Sequence, residues 1–162
     1  MASKANPIPE GFHAVTPYLI IKDAANAIEF YKNVFGATEL MRMAGPDGAV
    51  VHAEIKIGDS AIMLAEEPAG DTSLRGKSPY SLGDSSVVIS LYVEDADATA
   101  AKAVAAGAKL LAPIENRFYG DRCGRLEDPF GHIWIIGTHV EDMTAEEMNE
   151  RFEAWKKQQG PS

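Results

Sequence analysis

The sequence predicts an α+β protein built from two copies of a β-α-β-β-β module, followed by a C-terminal helix. Two segments, beginning at Leu19 and Leu91, share one order of features: the end of an apolar strand, an Asp, a helical stretch, and Gly-Ala before a new strand. Three strand-like segments then complete each copy. A repeated order of this kind indicates that one structural unit has been duplicated. A capping sequence ahead of an acidic amphipathic stretch predicts the final helix.

The helix of the first module is predicted from its two ends and from one apolar stripe. Asp23 stands where the N-cap is expected, because a short carboxylate satisfies free backbone N–H groups. Gly36 stands where a left-handed residue ends a helix. Between them, apolar side chains recur at helical spacing, at Ala24, Ile28, Tyr31 and Phe35.

Three strands are predicted after this helix, in ELMRMA, AVVHAEIKI and SAIMLAEE, with GPDG and GDS as turns. Successive side chains of a strand point to opposite faces of the sheet. The face of the middle segment that we expect to pack under the helices consists of Val51, Ala53, Ile55 and Ile57. His52 and Glu54 are then side by side on the opposite face.

The second module repeats this pattern, with Asp95 as the expected N-cap and Gly107 as the expected left-handed residue after the helix. Its strands are predicted in AKLLAPIE, DRCGRLE and HIWIIGTH, with DPFG as the matching turn. The stretch between the modules is rich in Gly, Ser, Asp and Pro and is predicted to be a loop. The predicted organisation is an N-terminal extension 1–13, modules 14–66 and 87–140, a connecting loop 67–86, and a C-terminal helix and tail 141–162.

The C-terminal helix is predicted to begin at a capping box formed by Thr144 and Glu147. Met148, Phe152 and Trp155 form an apolar stripe on this otherwise acidic helix. Such a stripe requires a surface to pack on, either in this chain or in a partner subunit. The sequence leaves both alternatives open.

Composition excludes several classes of protein. The 162 residues carry a formal net charge of −9, which disfavours binding to nucleic acids and to anionic membrane surfaces. We find no apolar segment typical of a signal peptide or of a membrane span. The single cysteine excludes an intrachain disulfide and a multi-cysteine zinc site. These features predict a cytoplasmic protein.

The motifs taken together resemble the vicinal-oxygen-chelate superfamily, which includes glyoxalase I, bleomycin-resistance proteins and ring-cleaving dioxygenases. The resemblance extends from Val15 to about His139. Within the superfamily, the sequence is most similar to the PhnB-like branch. The segments that carry it are TPYLIIKDAANAIEFYKNVFGA, HAEIKIGDSAIML, LYVEDADAT and YGDRCGRLEDPFGHIW. The resemblance implies curled mixed sheets around a cavity, a small-molecule ligand and a homodimer. The fold alone does not give the function, because it hosts both metal-dependent enzymes and metal-free binders.

The same resemblance implies a metal site with one ligand in the first and last strand of each module. In this sequence those four positions fall at Thr16, Met63, Val88 and Ile135. None of these side chains is a usual nitrogen or oxygen ligand for a divalent ion. We therefore expect no metal cofactor at the family's position. His132 follows the DPFG turn and lies three residues before Ile135, so the two side chains point to opposite faces of the strand. We therefore interpret His132 as completing the turn rather than binding a metal.

Other residues are predicted to line the cavity as neighbours of those positions. Alternation places Tyr18, Ser90 and Tyr92 on the same faces, together with His52 and Glu54. Arg122 is the candidate partner of His52 and Glu54, because its planar fork suits a carboxylate or phosphate or pairs with Glu54. Phe118 is a candidate for the aromatic wall of the cavity, although a core position is the alternative.

Three functions are consistent with these residues. The leading hypothesis is a small-molecule-binding protein without the family's metal, whose ligand is an antibiotic or a hydrophobic or cationic metabolite. The alternative is a glyoxalase-like lyase or isomerase, or a dioxygenase-type enzyme, that uses His52, Glu54 and Arg122 with or without a relocated divalent metal near His52 and Glu54. The third is a structural or regulatory dimer whose cavity binds nothing. The sequence does not identify the ligand.

Overall fold

The computed structural model describes residues 5–70 and 76–160 of the chain. The chain divides into two compact units, residues 1–85 and 86–162, which we call module 1 and module 2. The elements of module 1 are β1 (Tyr18–Ile21), α1 (Ala24–Phe35), β2 (Thr38–Ala44), β3 (Val50–Ile57), β4 (Ser60–Glu66) and α2 (Pro79–Leu82). The elements of module 2 are β5 (Val88–Tyr92), α3 (Ala96–Ala105), β6 (Lys109–Asn116), β7 (Asp121–Glu127), β8 (Ile133–His139) and α4 (Ala145–Gln158).

The two modules have the same sheet topology. The strand order is β1-β4-β3-β2 in module 1 and β5-β8-β7-β6 in module 2. In each sheet the first strand pairs in parallel with the last, and the other pairs are antiparallel. This arrangement confirms the predicted α+β fold with two β-α-β-β-β modules and a C-terminal helix.

Apolar side chains from one face of each sheet pack against the helix of the same module. In β3, Ala53 and Ile55 are 0% exposed and Ile57 is 4% exposed, as the alternation predicts. Val51, which we expected to share that buried face, is 51% exposed. The register between β2 and β3 shifts between Met43 and Ala44, and Val50 is the buried residue at that end of β3. The irregular pairing therefore breaks the predicted alternation at the strand end.

The two main helices begin differently. Asp95 caps α3 as predicted, because its side chain accepts a hydrogen bond from the backbone N–H of Ala98 at 2.9 Å. Asp23 occupies the N-cap position of α1 in a left-handed conformation, with φ of 75°, and its side chain caps no backbone group. The carboxylate of Glu66 caps α1 instead, accepting from the N–H groups of Asp23 and Ala24 at 2.9 and 2.7 Å. The prediction that Asp23 acts as the cap was wrong.

The turn between β7 and β8 is built around Asp128, which is 2% exposed. Its carboxylate accepts from the backbone N–H groups of Phe130 and His132 and from the indole N–H of Trp134, at 2.9, 3.0 and 2.9 Å. The backbone N–H of Asp128 in turn donates to the carbonyl of His132 at 2.9 Å. His132 therefore closes this turn through its backbone, in agreement with the interpretation of the DPFG motif.

The connecting segment contains a helix that the sequence did not predict. One turn, α2, begins after Ser78, whose side chain is buried and donates to the carboxylate of Glu67. Ser81 donates to the same carboxylate at 2.8 Å. These hydrogen bonds lower the pKa of Glu67 below its usual value. Part of the predicted loop is therefore a folded turn fixed to the end of β4.

The C-terminal helix α4 begins at the predicted capping box of Thr144 and Glu147. Its aromatic stripe packs on Phe118, whose ring centroid lies 5.7 Å from that of Phe152 and 5.5 Å from that of Trp155. The stripe thus contacts module 2 of the same chain, and Phe152 and Trp155 each remain 40% exposed. Among residues 5–70 and 76–160, no helix is long and apolar enough to cross a membrane.

Candidate functional site

The face of the module 1 sheet that points away from α1 carries four of the predicted site residues. Tyr18 in β1 is the lateral neighbour of Met63 in β4, and Met63 is the neighbour of Glu54 in β3. His52 lies two residues before Glu54 and therefore shares its face. Thr16 precedes β1 and is outside the paired strand. The structure thus brings Tyr18, His52, Glu54 and Met63 onto one surface.

Three polar side chains on this surface form a hydrogen-bonded chain. The hydroxyl oxygen of Tyr18 lies 2.8 Å from Nδ1 of His52, and Nε2 of His52 lies 3.3 Å from Oε1 of Glu54. Both nitrogens of the imidazole therefore have a partner, which fixes the orientation of the ring. The side chains of His52 and Glu54 are only 19% and 21% exposed. Tyr18 is 47% exposed, so this hydrogen-bonded chain is accessible to solvent at Tyr18.

Methionine side chains surround this polar chain. Met41 and Met43 in β2 stand opposite Glu54 and His52, so they lie on the same face as Met63. Met41 is 38% exposed and Met43 is 49% exposed. Methionine is flexible and polarizable, and it is frequent on surfaces that bind ligands of varied shape. Sequence reasoning missed Met41 and Met43, because the register of β2 against β3 was needed to place them.

The corresponding face of module 2 carries the other predicted strand residues. Val88, Ser90 and Tyr92 in β5 lie beside Ile133, Ile135 and Gly137 in β8. In β7, Arg125 is the neighbour of Ile135, and Cys123 is the neighbour of Gly137. The structure therefore brings Val88, Ser90, Tyr92 and Ile135 onto one surface, as alternation predicted, and adds Cys123 and Arg125 to it.

Arg122 does not lie on this surface. Its neighbour in β8 is Thr138, whose hydroxyl accepts from the first N–H of α3 at 2.9 Å, so both residues face the helix. The guanidinium of Arg122 forms a fork with Asp97 in α3, with N–O distances of 2.5 and 2.8 Å. This ion pair raises the pKa of Arg122 and lowers the pKa of Asp97. The prediction that Arg122 faces the cavity as a partner for Glu54 was wrong.

A cavity of about 760 Å³ lies on the face of the module 2 sheet that points away from α3, next to the end of α4. Phe118 and Ile135, both predicted site residues, line it together with Tyr119, Trp155 and Arg125. The remaining lining residues are Leu111, Ala112, Glu115, Asn116, Arg117, Cys123, Gly124, Gln158 and Gln159. The volume is in the range of cavities that hold organic ligands, and the mixture of aromatic and polar walls is typical of such sites.

Within this cavity the hydroxyl of Tyr119 lies 3.2 Å from the sulfur of Cys123, which is 4% exposed. Burial and this hydrogen bond raise the pKa of Tyr119 to about 12. Tyr119 therefore remains a neutral phenol over the physiological range. The ring of Phe118 meets that of Tyr119 edge to face, with a centroid separation of 5.2 Å. The aromatic wall predicted at Phe118 therefore also includes Tyr119, and Phe118 contacts α4.

Module 2 also contains a hydrogen-bonded series of polar side chains, on the same face of the sheet as Ile135. The phenol of Tyr92 donates to Asp121 at 2.6 Å, and the other oxygen of Asp121 lies 2.7 Å from Nδ1 of His139. Nε2 of His139 lies 2.9 Å from Asp142. The hydrogen bond to Asp121, reinforced by Asp142, raises the pKa of His139 above its usual value. This series ties β5, β7 and β8 to the segment that leads into α4.

The donor sets on these faces do not fit a metal ion. In the described residues, no group of three or more His, Cys, Asp or Glu side chains converges on a point. His52 and Glu54 supply two donors, and their neighbour at the predicted ligand position is Met63. In module 2, Asp121 and Asp142 contact opposite nitrogens of His139, so these three groups do not share one centre. Arg125, which sequence reasoning missed, places a cation next to Ile135.

The chain is similar to known proteins both in sequence and in fold. Residues 11–136 match the profile of the Glyoxalase/Bleomycin resistance protein/Dioxygenase superfamily. An uncharacterized protein of Mycobacterium bovis is 39% identical over 135 residues, which are 83% of this chain and 89% of that protein.

Two solved structures are similar to this chain. TioX from Micromonospora sp. ML1 has a TM-score of 0.60 at 25% identity, over 82% of this chain and 100% of that one. The fosfomycin resistance protein FosX from Listeria monocytogenes, solved with Mn(II) and sulfate, has a TM-score of 0.57 at 22% identity, over 86% and 97%. The second likeness concerns the fold alone. Membership of the PhnB-like branch stays a prediction.

Proposed function

We propose that this chain, which belongs to the glyoxalase/bleomycin resistance protein/dioxygenase superfamily, is a small-molecule-binding protein that works without a metal ion. The observation that carries this proposal is the cavity of about 760 Å³ in module 2, walled by Phe118, Tyr119, Ile135 and Trp155. The positions where the resemblance implies metal ligands hold Met63 and Ile135 in the paired strands, and these side chains supply apolar contact instead.

The proposed ligand is an antibiotic or a metabolite with a hydrophobic body. In module 2 the contact surface would consist of the cavity walls together with Val88, Ser90 and Tyr92. A separate candidate contact surface in module 1 consists of Thr16, Tyr18 and Met63, with His52 and Glu54 as the polar contacts. Glu54 and the net charge of −9 favour a cationic group on a ligand of the module 1 surface. That a fosfomycin resistance protein shares the fold supports an antibiotic as one class of ligand.

A thermal-shift screen in the presence of EDTA tests this proposal. A ligand that binds only the folded chain raises its melting temperature, and a concentration of 100 times Kd stabilises it by about 2.7 kcal/mol. We expect hydrophobic compounds of several classes to do so without any divalent ion. The variant Ala112→Phe, which adds a bulky ring to the cavity wall, should reduce the shift, whereas Ala101→Phe on the exposed surface of α3 should leave it unchanged. Shifts that vanish with EDTA, or a screen with no binder, would contradict the proposal.

The homodimer and the cytoplasmic location both stay predictions. Exposed apolar side chains at Tyr18, Met41 and Met43 are consistent with contact to a second copy of the chain. Light scattering after size-exclusion chromatography gives the molar mass in solution and would show whether the chain is a dimer. Repeating the measurement with a bound ligand would show whether the ligand changes that state.

The second candidate function is a lyase, isomerase or dioxygenase-type enzyme, and the chain of Tyr18, His52 and Glu54 favours it. A tyrosine, an imidazole and a carboxylate in hydrogen-bond contact are suited to proton transfer. Arg122 is engaged with Asp97 and does not complete this site. The test is product analysis by mass spectrometry for each compound that binds. Loss of turnover in His52→Ala at an unchanged melting temperature, with turnover kept in His13→Ala, would establish catalysis.

A further inference from the structure

We propose that the module 2 cavity selects an aromatic ligand that bears an anionic group, a carboxylate or a phosphonate, and that Arg125 binds this group. This inference rests on the proposed function, since it names the class of ligand for the same cavity. It also runs against the net charge of the chain, which by itself favours cations. The local arrangement of charges in the cavity therefore decides the class of ligand.

Arg125 is placed in the cavity by the strand pairing. In β7 it stands between Ala112 of β6 and Ile135 of β8, and all three residues line the cavity. Its neighbours along the strand, Gly124 and Leu126, belong to the lining and to the buried core respectively. Arg125 therefore lines the part of the cavity that the sheet forms. A ligand that packs on Ile135 would contact its guanidinium.

Arg125 is available to a ligand because the protein does not neutralise it. Within residues 5–70 and 76–160, it forms no ion pair and no hydrogen bond through its side chain. The other arginine that lines the cavity, Arg117, is paired with Glu115 at 2.7 Å, and Arg122 is paired with Asp97 on the face of the sheet that packs on α3. A free guanidinium presents its planar fork, which matches a carboxylate or phosphonate with two parallel hydrogen bonds.

The walls around Arg125 specify the rest of the ligand. Phe118, Tyr119 and Trp155 give the cavity an aromatic side, against which a planar ring would pack. The phenol of Tyr119 stays protonated, since its pKa is raised to about 12, so it adds a neutral donor and no negative charge. The carboxylate of Glu115 is compensated by Arg117. The cavity therefore offers one uncompensated cation and aromatic walls.

The matching position in module 1 has the opposite charge. Glu54 is the neighbour of Met63 just as Arg125 is the neighbour of Ile135. Glu54 is held by His52, which in turn contacts Tyr18. A preference for anions is thus a property of module 2 that the duplication did not supply, and it depends on a single residue.

Three isosteric probes test the inference on the full chain: 6-bromo-2-naphthoate, the corresponding neutral amide, and the corresponding methylammonium. The bromine quenches a nearby indole, and Trp155 lines the cavity while Trp134 is 0% exposed. Tryptophan fluorescence therefore reports binding in the cavity, and loss of the signal in Trp155→Phe assigns it. Calorimetry gives Kd independently. We expect the carboxylate to bind about tenfold or more tightly than the amide, and the methylammonium to bind most weakly.

The variants separate the local cation from the overall charge. Arg125→Gln should reduce the preference for the carboxylate to about twofold or less while binding of the amide is unchanged. Arg125→Lys should retain part of the preference, because an ammonium keeps the charge and loses the planar fork. Lys109→Gln, an exposed position on β6 outside the cavity, changes the net charge equally and should leave the preference intact.

The outcomes distinguish this inference from the proposed function. Equal binding of carboxylate and amide, with quenching of Trp155, would overturn the role of Arg125 and leave the cavity as a ligand site. A preference that survives in Arg125→Gln would also overturn it. If none of the three probes quenches Trp155 or releases heat, the cavity does not bind aromatic ligands of this kind and this inference fails, whereas the thermal-shift screen decides the proposed function separately.

Discussion

Module 1 and module 2 have the same strand order and the same pairing, yet the side chains on their open faces differ completely. At the position beside Met63, module 1 has Glu54, and at the matching position beside Ile135, module 2 has Arg125. Two residues earlier in the same strands, His52 corresponds to Cys123. The buried faces stay mainly apolar in both modules because they must pack on a helix. The comparison teaches that the duplicated frame is set by the core, whereas each open face was free to acquire its own chemistry.

The hairpin between the last two strands shows the same divergence in backbone form. In module 1, Ile57 pairs with Ser60, so a two-residue turn suffices. In module 2, Glu127 pairs with Ile133, and residues 128–132 form a longer loop. Buried Asp128 takes the place of Ile57 and satisfies the N–H groups of that loop. A hydrogen-bonded carboxylate thus does in module 2 what a tight turn does in module 1.

The largest expected effect follows from this difference. Asp128→Ala should lower the free energy of unfolding by about 3 kcal/mol, because two backbone N–H groups and the indole of Trp134 lose their acceptor in the core. Asp59→Ala, in the exposed turn of module 1, should change it by no more than about 0.5 kcal/mol. Urea denaturation measures both. Equal losses would mean that the two turns are held in the same way.

The next effect concerns how closely the second and third strands approach. A Cβ added at Gly124 would lie 2.7 Å from the carbonyl oxygen of Ala112 and 2.8 Å from the carbonyl carbon of Pro113. We expect Gly124→Ala to cost about 1–3 kcal/mol by displacing this backbone. The matching residue of module 1 is Ala53, and Ala53→Gly should cost about 1 kcal/mol through backbone entropy. Chemical denaturation of both variants compares the modules, and a neutral Gly124→Ala would disprove the close approach.

The helix caps provide a smaller contrast. Glu66→Ala should cost about 1–2 kcal/mol, because it removes the acceptor of two N–H groups at the start of α1. Thr138→Ala at the matching position of module 2 should cost about 1 kcal/mol, because Asp95 caps α3 independently. Exposed Glu29→Ala serves as the control. A cost for Thr138→Ala that exceeds that for Glu66→Ala would reverse our assignment of the caps.

The smallest effect is a dependence on pH that belongs to module 2. Asp121 and Asp142 raise the pKa of His139 in the folded chain above its usual value of about 6.5. The stabilisation by this pair is therefore complete below about pH 6.5 and is lost as the pH rises through the raised pKa. His139→Gln should lower the melting temperature more at pH 5.5 than at pH 9. His13→Gln, an exposed control, should show no such difference, and a deficit independent of pH would contradict the linkage.

The sequence by itself determined the duplicated frame, both ends of α1, the starts of α3 and α4, and most of the alternation within the strands. These features depend on local rules, namely cap residues, helical spacing and the period of two in strands. The same local rules placed Ser90, Tyr92 and Ile135 on one face, and Tyr18, His52 and Met63 on another. Alternation likewise requires Cys123 and Arg122 to point in opposite directions, as they do in the structure.

Only the tertiary structure decided which of those two directions faces the cavity. A shift of one residue in register exchanges the faces of a whole strand. The register of β7 against β8 depends on the length of the loop around Asp128, which no alternation pattern reveals. That register turned Arg122 towards Asp97 and placed Arg125 in the cavity. Trp155, which also lines the cavity, belongs to α4. Long-range packing and not local sequence brings this helix onto Phe118.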